Sequence, residues 1–270
     1  MIKFLKETYI IWLREMIRYW RNKARLVSSF AMPILWLVLF GSGMKATLSL
    51  SGGDAGFDFI QFLFPGVIGM SILFTSIFSV MSIVLDRQFG FLKEILVAPV
   101  SRVSIAVGKI LGGSTTAMIQ GLVMLFLAPL VGIKLSLGLI LALIPVMFVA
   151  AFALTSIGLV IASRMKSTEG FQMIMNFIMM PMFFLSGAVF PLTNLPAWMD
   201  TLAKINPASY AIDLVRQTAF KFMDTPAEVA KTLSLTLFDN RVTILMDLVI
   251  VLVFGMFMVT IGVLLFKKSD

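Results

Sequence analysis

The side chains that most often carry chemistry are scarce in this chain. Its 270 residues include no cysteine and no histidine. That excludes disulfides, thiol nucleophiles, zinc sites built on Cys or His, and histidine acid–base chemistry. No metal site and no catalytic residue is expected. A nucleophile needs a general base beside it, and no histidine or suitably placed lysine lies in an apolar stretch. A phosphate-cradling Walker A loop is also missing. Gly108-Lys109 is followed by Ile110, and Val103 stands where that motif needs its first glycine. One carboxylate, Asp247, lies well inside an apolar run, where an acid is a functional candidate by default. It comes six positions after Arg241, near one end of the run. A lone acid so placed makes a poor proton relay, so a structural or gating role is expected. The alternative is an ion-coupled secondary transporter with Asp247 as its coupling group.

Neutral polar residues are the next candidates. Ser71, Thr75, Ser79 and Ser82 are spaced four, four and three apart, so they form one stripe on a helix. Gln172 and Asn176 form a similar pair among Met173, Met175, Met179, Met180, Phe183 and Phe184. Two uses fit. The two faces could line a path for an amphipathic cargo, with methionine and phenylalanine as adaptable walls. Or the hydroxyls could bond their own helix backbone and glue helices together.

The most polar interior stretch is Asp86 to Lys109, DRQFGFLKEILVAPVSRVSIAVGK. It is too polar to span a bilayer and too apolar for a solvated linker. Leu85, Phe89, Leu92 and Leu96 share one helical face, with Arg87 and Glu94 on the other side. Pro99 stops this helix and Ser101 can cap the next. Such an amphipathic helix suits a groove on a partner, or it rests on lipid headgroups. Gly108, Gly112 and Gly113 allow close packing just beyond it.

These residues must be positioned by membrane helices. The chain is 59% hydrophobic and only 13% charged, against about 25% charged in a soluble domain. Residues 1–25 form an amphipathic helix, with Ile2, Leu5, Tyr9, Trp12, Met16 and Trp20 as its stripe and a basic face opposite. They do not read as a signal peptide. A six-span membrane domain occupies 26–270. The spans lie within Leu26–Met44, Phe59–Leu85, Ile110–Ile133, Leu135–Ser163, Gly170 to just before Pro191, and Val242–Phe266. The coupling segment is 86–102. An outer cap of short helices, some dipping back into the membrane after Ser186-Gly187, occupies 187–240. There Pro196–Ile205 forms one helix, Asn206-Pro207 opens another, and Thr225-Pro226-Ala227-Glu228 is a capping box.

Lysine and arginine set the orientation. Residues 1–25 hold seven, 86–109 four, the Arg164–Glu169 loop two and the C-terminus two, while the first two opposite loops hold only Lys45 and Lys134. Both termini and the coupling segment are therefore expected on the cytoplasmic side of the cell membrane.

Three segments carry a resemblance: QFLFPGVIG (Gln61–Gly69), the Asp86–Gly113 stretch, and FFLSGAVFPLTNLPAWMDTLAKINPASYAIDLVR (Phe183–Arg216). Together they resemble the ABC-2-type permease family, the membrane subunits of ATP-binding-cassette exporters. In the second segment Arg87, Gly90, Leu92, Glu94, Pro99, Ser101, Arg102, Gly108 and Lys109 match the family pattern. Asp86-Arg87-Gln88 departs from the commoner Arg-Glu, so the usual acid after that arginine is missing. The resemblance implies an all-α membrane protein with an N-terminal interface helix, six spans, a cytoplasmic coupling helix and an outer re-entrant hairpin. It implies a second permease subunit, with a homodimer expected, and a separate ATPase subunit that binds ATP and Mg; this chain binds no cofactor and no nucleic acid. Arg87, Phe89, Leu92, Glu94 and Leu96 would then contact the ATPase, and the cargo would be a drug, antibiotic, lipid or polysaccharide.

Overall fold

The computed structural model describes residues 2–23, 27, 31, 33–39, 59–90, 100–193, 195–223, 225–226, 230, 233–237 and 240–267. The chain opens with α1 (Ile2–Arg21). Residues 33–39 are helical. Next come α2 (Phe59–Ser79) and α3 (Met81–Gln88), which run on from each other through Val80. They are followed by α4 (Arg102–Phe126), a short 3-10 turn (Ala128–Val131), α5 (Leu137–Ala162) and α6 (Thr168–Phe184). The C-terminal third holds α7 (Ala197–Ile205), α8 (Pro207–Phe220) and α9 (Ile244–Lys267).

Helix starts follow from local chemistry. The side chains of Ser101, Ser136, Ser167 and Asn206 each accept a hydrogen bond from a first-turn amide of α4, α5, α6 and α8. Those amides have no partner within the helix, so a short polar side chain just ahead of an apolar run sets the boundary. Pro207 at the first position of α8 costs nothing for the same reason.

Among the described residues, four helices are long and apolar enough to cross a membrane: Ile60–Gln88, Arg102–Phe126, Leu137–Ala162 and Ile244–Phe266. This is a predominantly helical membrane protein. The expected first span lies mostly outside the described residues, apart from 27, 31 and 33–39. The expected fifth is α6, whose 17 residues reach about 25 Å. The all-α expectation needs one amendment: Thr236–Leu237 pairs antiparallel with Asn240–Arg241 just before α9. The Thr225–Glu228 capping box falls partly outside the described residues, which include Thr225 and Pro226 but not Ala227 or Glu228.

Two sets of glycines draw the helices together. A side chain on Gly108 would meet Ile11 Cβ at 2.7 Å, and one on Gly112 would meet Glu15 Cβ at 2.7 Å, so α1 lies directly on α4. Gly113 faces Ser79 and Thr155, which brings α2 and α5 against the same helix. At the other end of the bundle Gly66 lies against the Ala188 backbone and Gly69 against Ile212. α8 is therefore threaded back among α2, α5 and α9, with Ala208–Val215 buried throughout. The turn that returns it uses Gly187 at φ +74°, a left-handed conformation that favours glycine. α9 packs along α5 but leaves Leu245, Val249, Val253, Met256, Phe257 and Leu264 exposed, as a lipid-facing helix does.

Candidate functional site: a cavity behind the N-terminal helix

A cavity of about 540 Å³ lies between α1, α2, α4 and α6. One wall is the polar stripe: Ser71, Thr75, Ser79 and Ser82 all line it. The facing wall is Met180, Phe183 and Phe184 from α6, with Trp36 and Phe74 beside them. Phe183 organises the aromatic side. Its ring centre lies 5.5 Å from Trp36, 5.8 Å from Phe74 and 5.2 Å from Phe184. Most pairs are edge-on, an arrangement that favours aromatic contact. The hydroxyls are divided in their bonds. Ser71 Oγ donates to Val67 O at 2.9 Å and Ser79 Oγ to Ser76 O, both within the helix. Ser82 Oγ accepts from Lys109 Nζ at 2.9 Å. Both readings of the stripe thus have a physical basis: some hydroxyls satisfy the backbone, and all four face one space.

Gln172 and Asn176 do not line this cavity. α6 turns Phe171, Met175, Met179 and Phe183 into the bundle, while Asn176 and Gln172 stand one and two turns before Met180 on the neighbouring stripe, outside the cavity lining. Both side chains are exposed, and Gln172 Nε2 lies 4.0 Å from Met81 Sδ.

Beneath the cavity lies a buried charge cluster. Asp86 and Lys109 are 1% and 3% exposed. Lys109 Nζ donates to Glu15 Oε1 at 2.6 Å and to Asp86 Oδ2 at 2.9 Å. Arg14 and Arg18 reach Asp86 Oδ1 at 3.3 and 3.1 Å. Every charge here has an opposite partner, the condition under which burial is tolerated. The cluster bonds α1 to α3 and α4. Trp12 Nε1 adds a hydrogen bond to Thr115 Oγ1 at 3.0 Å. Farther along, Ser101 N and Ser104 Oγ donate to Glu7, and these bonds hold its carboxyl below the usual range. The expected stripe on α1 is therefore split. Ile2, Leu5, Tyr9 and Trp20 stay exposed, while Met16 is buried and Trp12 turns toward α4.

The coupling residues divide likewise. Leu92, Glu94 and Leu96 lie outside the described residues, and Phe89 is 67% exposed at the end of α3. Arg87, expected at the rim of the coupling face, points into the bundle. Its guanidinium donates to the carbonyls of Ala162, Ser163 and Met165 at the C-terminus of α5. A cation at that end of a helix meets unpaired carbonyls and the negative pole of the helix dipole. Gln88 Oε1 accepts from Thr168 N at 3.2 Å and Thr168 Oγ1 at 3.0 Å, at the start of α6. Three consecutive residues thus hold four helices: Asp86 holds α1 and α4, Arg87 holds α5, and Gln88 holds α6.

At the opposite end, Asp247 is fully buried. Gln217 Nε2 lies 2.9 Å from Asp247 Oδ2 and 2.7 Å from Asp213 Oδ2. Asp213 also accepts from Leu235 N at 3.0 Å. Arg216 donates to Gly187 O and sits 4.3 Å from the centre of the Phe62 ring. Asp247 is therefore not an isolated acid; it ties α9 to α8. Sequence reasoning missed this second carboxylate because Asp213 stands outside every apolar run. It also missed the partnership of Glu15 and Lys109. The available signal was two acids, Glu7 and Glu15, on an otherwise basic helix and one lysine at the mouth of a span.

Comparison with known proteins agrees with this architecture. The family model described as "ABC-2 type transporter" matches residues 6–220. The chain is 28% identical over 270 residues to the putative transport permease ycf38 of Cyanophora paradoxa, covering 98% of this chain and 89% of that protein. It is 28% identical over 212 residues to nodulation protein J of Rhizobium leguminosarum bv. viciae, covering 77% and 80%. The inner membrane transport permease YadH of Escherichia coli K12 is 28% identical over 222 residues, covering 80% and 84%. A helical bundle with an N-terminal helix on its flank, matched from that helix through α8, belongs to the ABC-2 type transporter family.

Proposed function

We propose that the chain is the membrane-spanning subunit of an ATP-driven exporter, moving an amphipathic or lipid-linked cargo out of the cell. The observation that carries this reading is the cavity in which the Ser71–Ser82 stripe faces Met180, Phe183 and Phe184. An apolar chamber with a few hydrogen-bonding groups is what such a cargo needs. A second copy of the chain meets this one on the α6 side, placing Gln172 and Asn176 at the seam. ATP and Mg are bound by a separate ATPase subunit on the cytoplasmic side, where both termini lie. That subunit grips the segment after α3, with Phe89, Leu92 and Leu96 as apolar anchors and Glu94 at the rim. Closure of the ATPases moves this segment, and α3 and α4 act as levers on the cavity wall. Six spans complete the subunit, with α7 and α8 as the outer re-entrant hairpin.

The test is co-reconstitution with the ATPase in vesicles. ATP-dependent movement of an amphiphile, abolished by Leu92→Asp while assembly is retained, supports the reading. Thr75→Val keeps shape and removes a donor. Altered cargo preference at unchanged melting temperature marks a path residue; lower stability at unchanged preference marks a packing residue. A second reading, an ion-coupled transporter, is favoured by the burial of Asp247 beside Gln217 and Asp213. Uptake driven by a pH gradient without ATP, and lost in Asp247→Asn, would establish it instead.

A further inference from the structure

The cavity behind α1 adjoins a second compartment of opposite character. Arg18 and Asn22 line it and also line a shallower cleft of about 610 Å³, whose other walls are Arg14, Ile17, Arg21 and Lys23. No carboxylate lines that cleft among the described residues. Among the described residues, Arg14, Arg18, Arg21 and Lys23 line the cleft, and of these only Arg14 and Arg18 reach a carboxylate, that of Asp86. Asp86 is also bonded by Lys109, as is Glu15. The surplus positive charge is therefore directed at whatever occupies the cleft.

We propose that the cargo is an amphiphile with an anionic head group, a phosphate, sulfate or carboxylate. The head occupies the Arg21–Lys23 cleft while the apolar part lies among Trp36, Phe74 and Phe183. This rests on the cavity being the cargo path, and it adds the sign of the cargo's charge. Aromatic rings alone would also welcome a quaternary ammonium through its attraction to the ring face. The cationic mouth opposes that choice, because such a head would pass a region of like charge before reaching the rings. A basic patch serving only to hold anionic lipid would need no chamber behind it.

The experiment uses the full chain with its ATPase in phosphatidylcholine vesicles. Three fluorescent amphiphiles share one alkyl tail and carry a phosphate, a phosphocholine or a trimethylammonium head. ATP-dependent movement is measured for each, and binding without ATP is followed by tryptophan quenching. The phosphate probe is expected to move and bind best. Arg21→Gln combined with Lys23→Gln should raise its half-saturating concentration about thirtyfold and leave the phosphocholine probe far less affected. Neither residue belongs to the Asp86 cluster, so the variant should fold. Equal handling of the three heads, or preference for the cation, overturns the proposal. So does loss of ATPase co-purification in the variant, which would make the cleft a protein-docking surface. A requirement for added phosphatidylglycerol without any head-group preference would assign it to bilayer lipid and also overturn the proposal. If no probe moves with ATP, the exporter reading fails, and the binding order of the three heads still decides the charge preference.

Discussion

Lys109 shows how much one buried cation can hold. Its ammonium is shared between Glu15 and Asp86 in a buried site. Lys109→Met removes the charge and leaves Glu15 buried without the ion pair it has here. Breaking such a pair costs about 3–5 kcal/mol, and the detergent melting temperature should fall accordingly. Adding Glu15→Met removes the stranded carboxylate, so the double variant should regain most of that loss; a strictly additive further loss would refute the pairing. Glu7 gives a pH-dependent counterpart. Its bonds from Ser101 and Ser104 lower its folded-state pKa below 4.5. The carboxylate therefore contributes its stability above that value and loses it as pH falls through the lowered folded value. Tryptophan emission, which includes Trp12 at the α1–α4 contact, should shift on acidification in the parent and lose that component in Glu7→Gln.

At the scale of elements, the last turn of α3 fixes the end of α5 and the start of α6. Gln88 is exposed and its bonds to Thr168 add little to stability. They do fix where α6 begins, and α6 carries Phe183 and Phe184 into the cavity. Gln88→Met should keep the stability within about 0.5 kcal/mol of the parent and lower transport per ATP hydrolysed. Gln88→Glu retains the accepting oxygen and should restore the ratio. Unchanged coupling in Gln88→Met would remove α6 from the transmission. Much of this level is legible in the sequence. The caps at Ser101 and Asn206 and the periodic apolar runs give the helix boundaries. The α1–α4 contact is not legible, because the apolar stripe of α1 draws the eye from a second face, with Ile11 and Glu15, that lies on Gly108 and Gly112. The inward turn of Arg87 is equally hidden, since its partners are backbone carbonyls more than 70 positions away. Gln172 and Asn176 show the limit of such a signal: a polar pair on a helix marks a face but does not say what that face meets.

The whole molecule is held by polar fastenings at both ends and apolar packing between. One cluster joins α1, α3 and α4 at the Asp86 end; another joins α8 and α9 at the Asp247 end. Polar side chains are costly to place wrongly in lipid, so these fastenings select one arrangement of helices that hydrophobicity alone leaves open. The grip of Arg87 and Gln88 on either side of the Arg164–Ser167 loop has a further consequence for biogenesis. The end of α5 and the start of α6 are each tied to α3 rather than only to each other. Covalent continuity through the loop is then expected to be dispensable. Two fragments, residues 1–165 and 166–270, inserted separately in one membrane, should find each other and co-purify as a working permease. The same cut should fail to reassemble when Arg87→Leu and Gln88→Leu have removed the clasp.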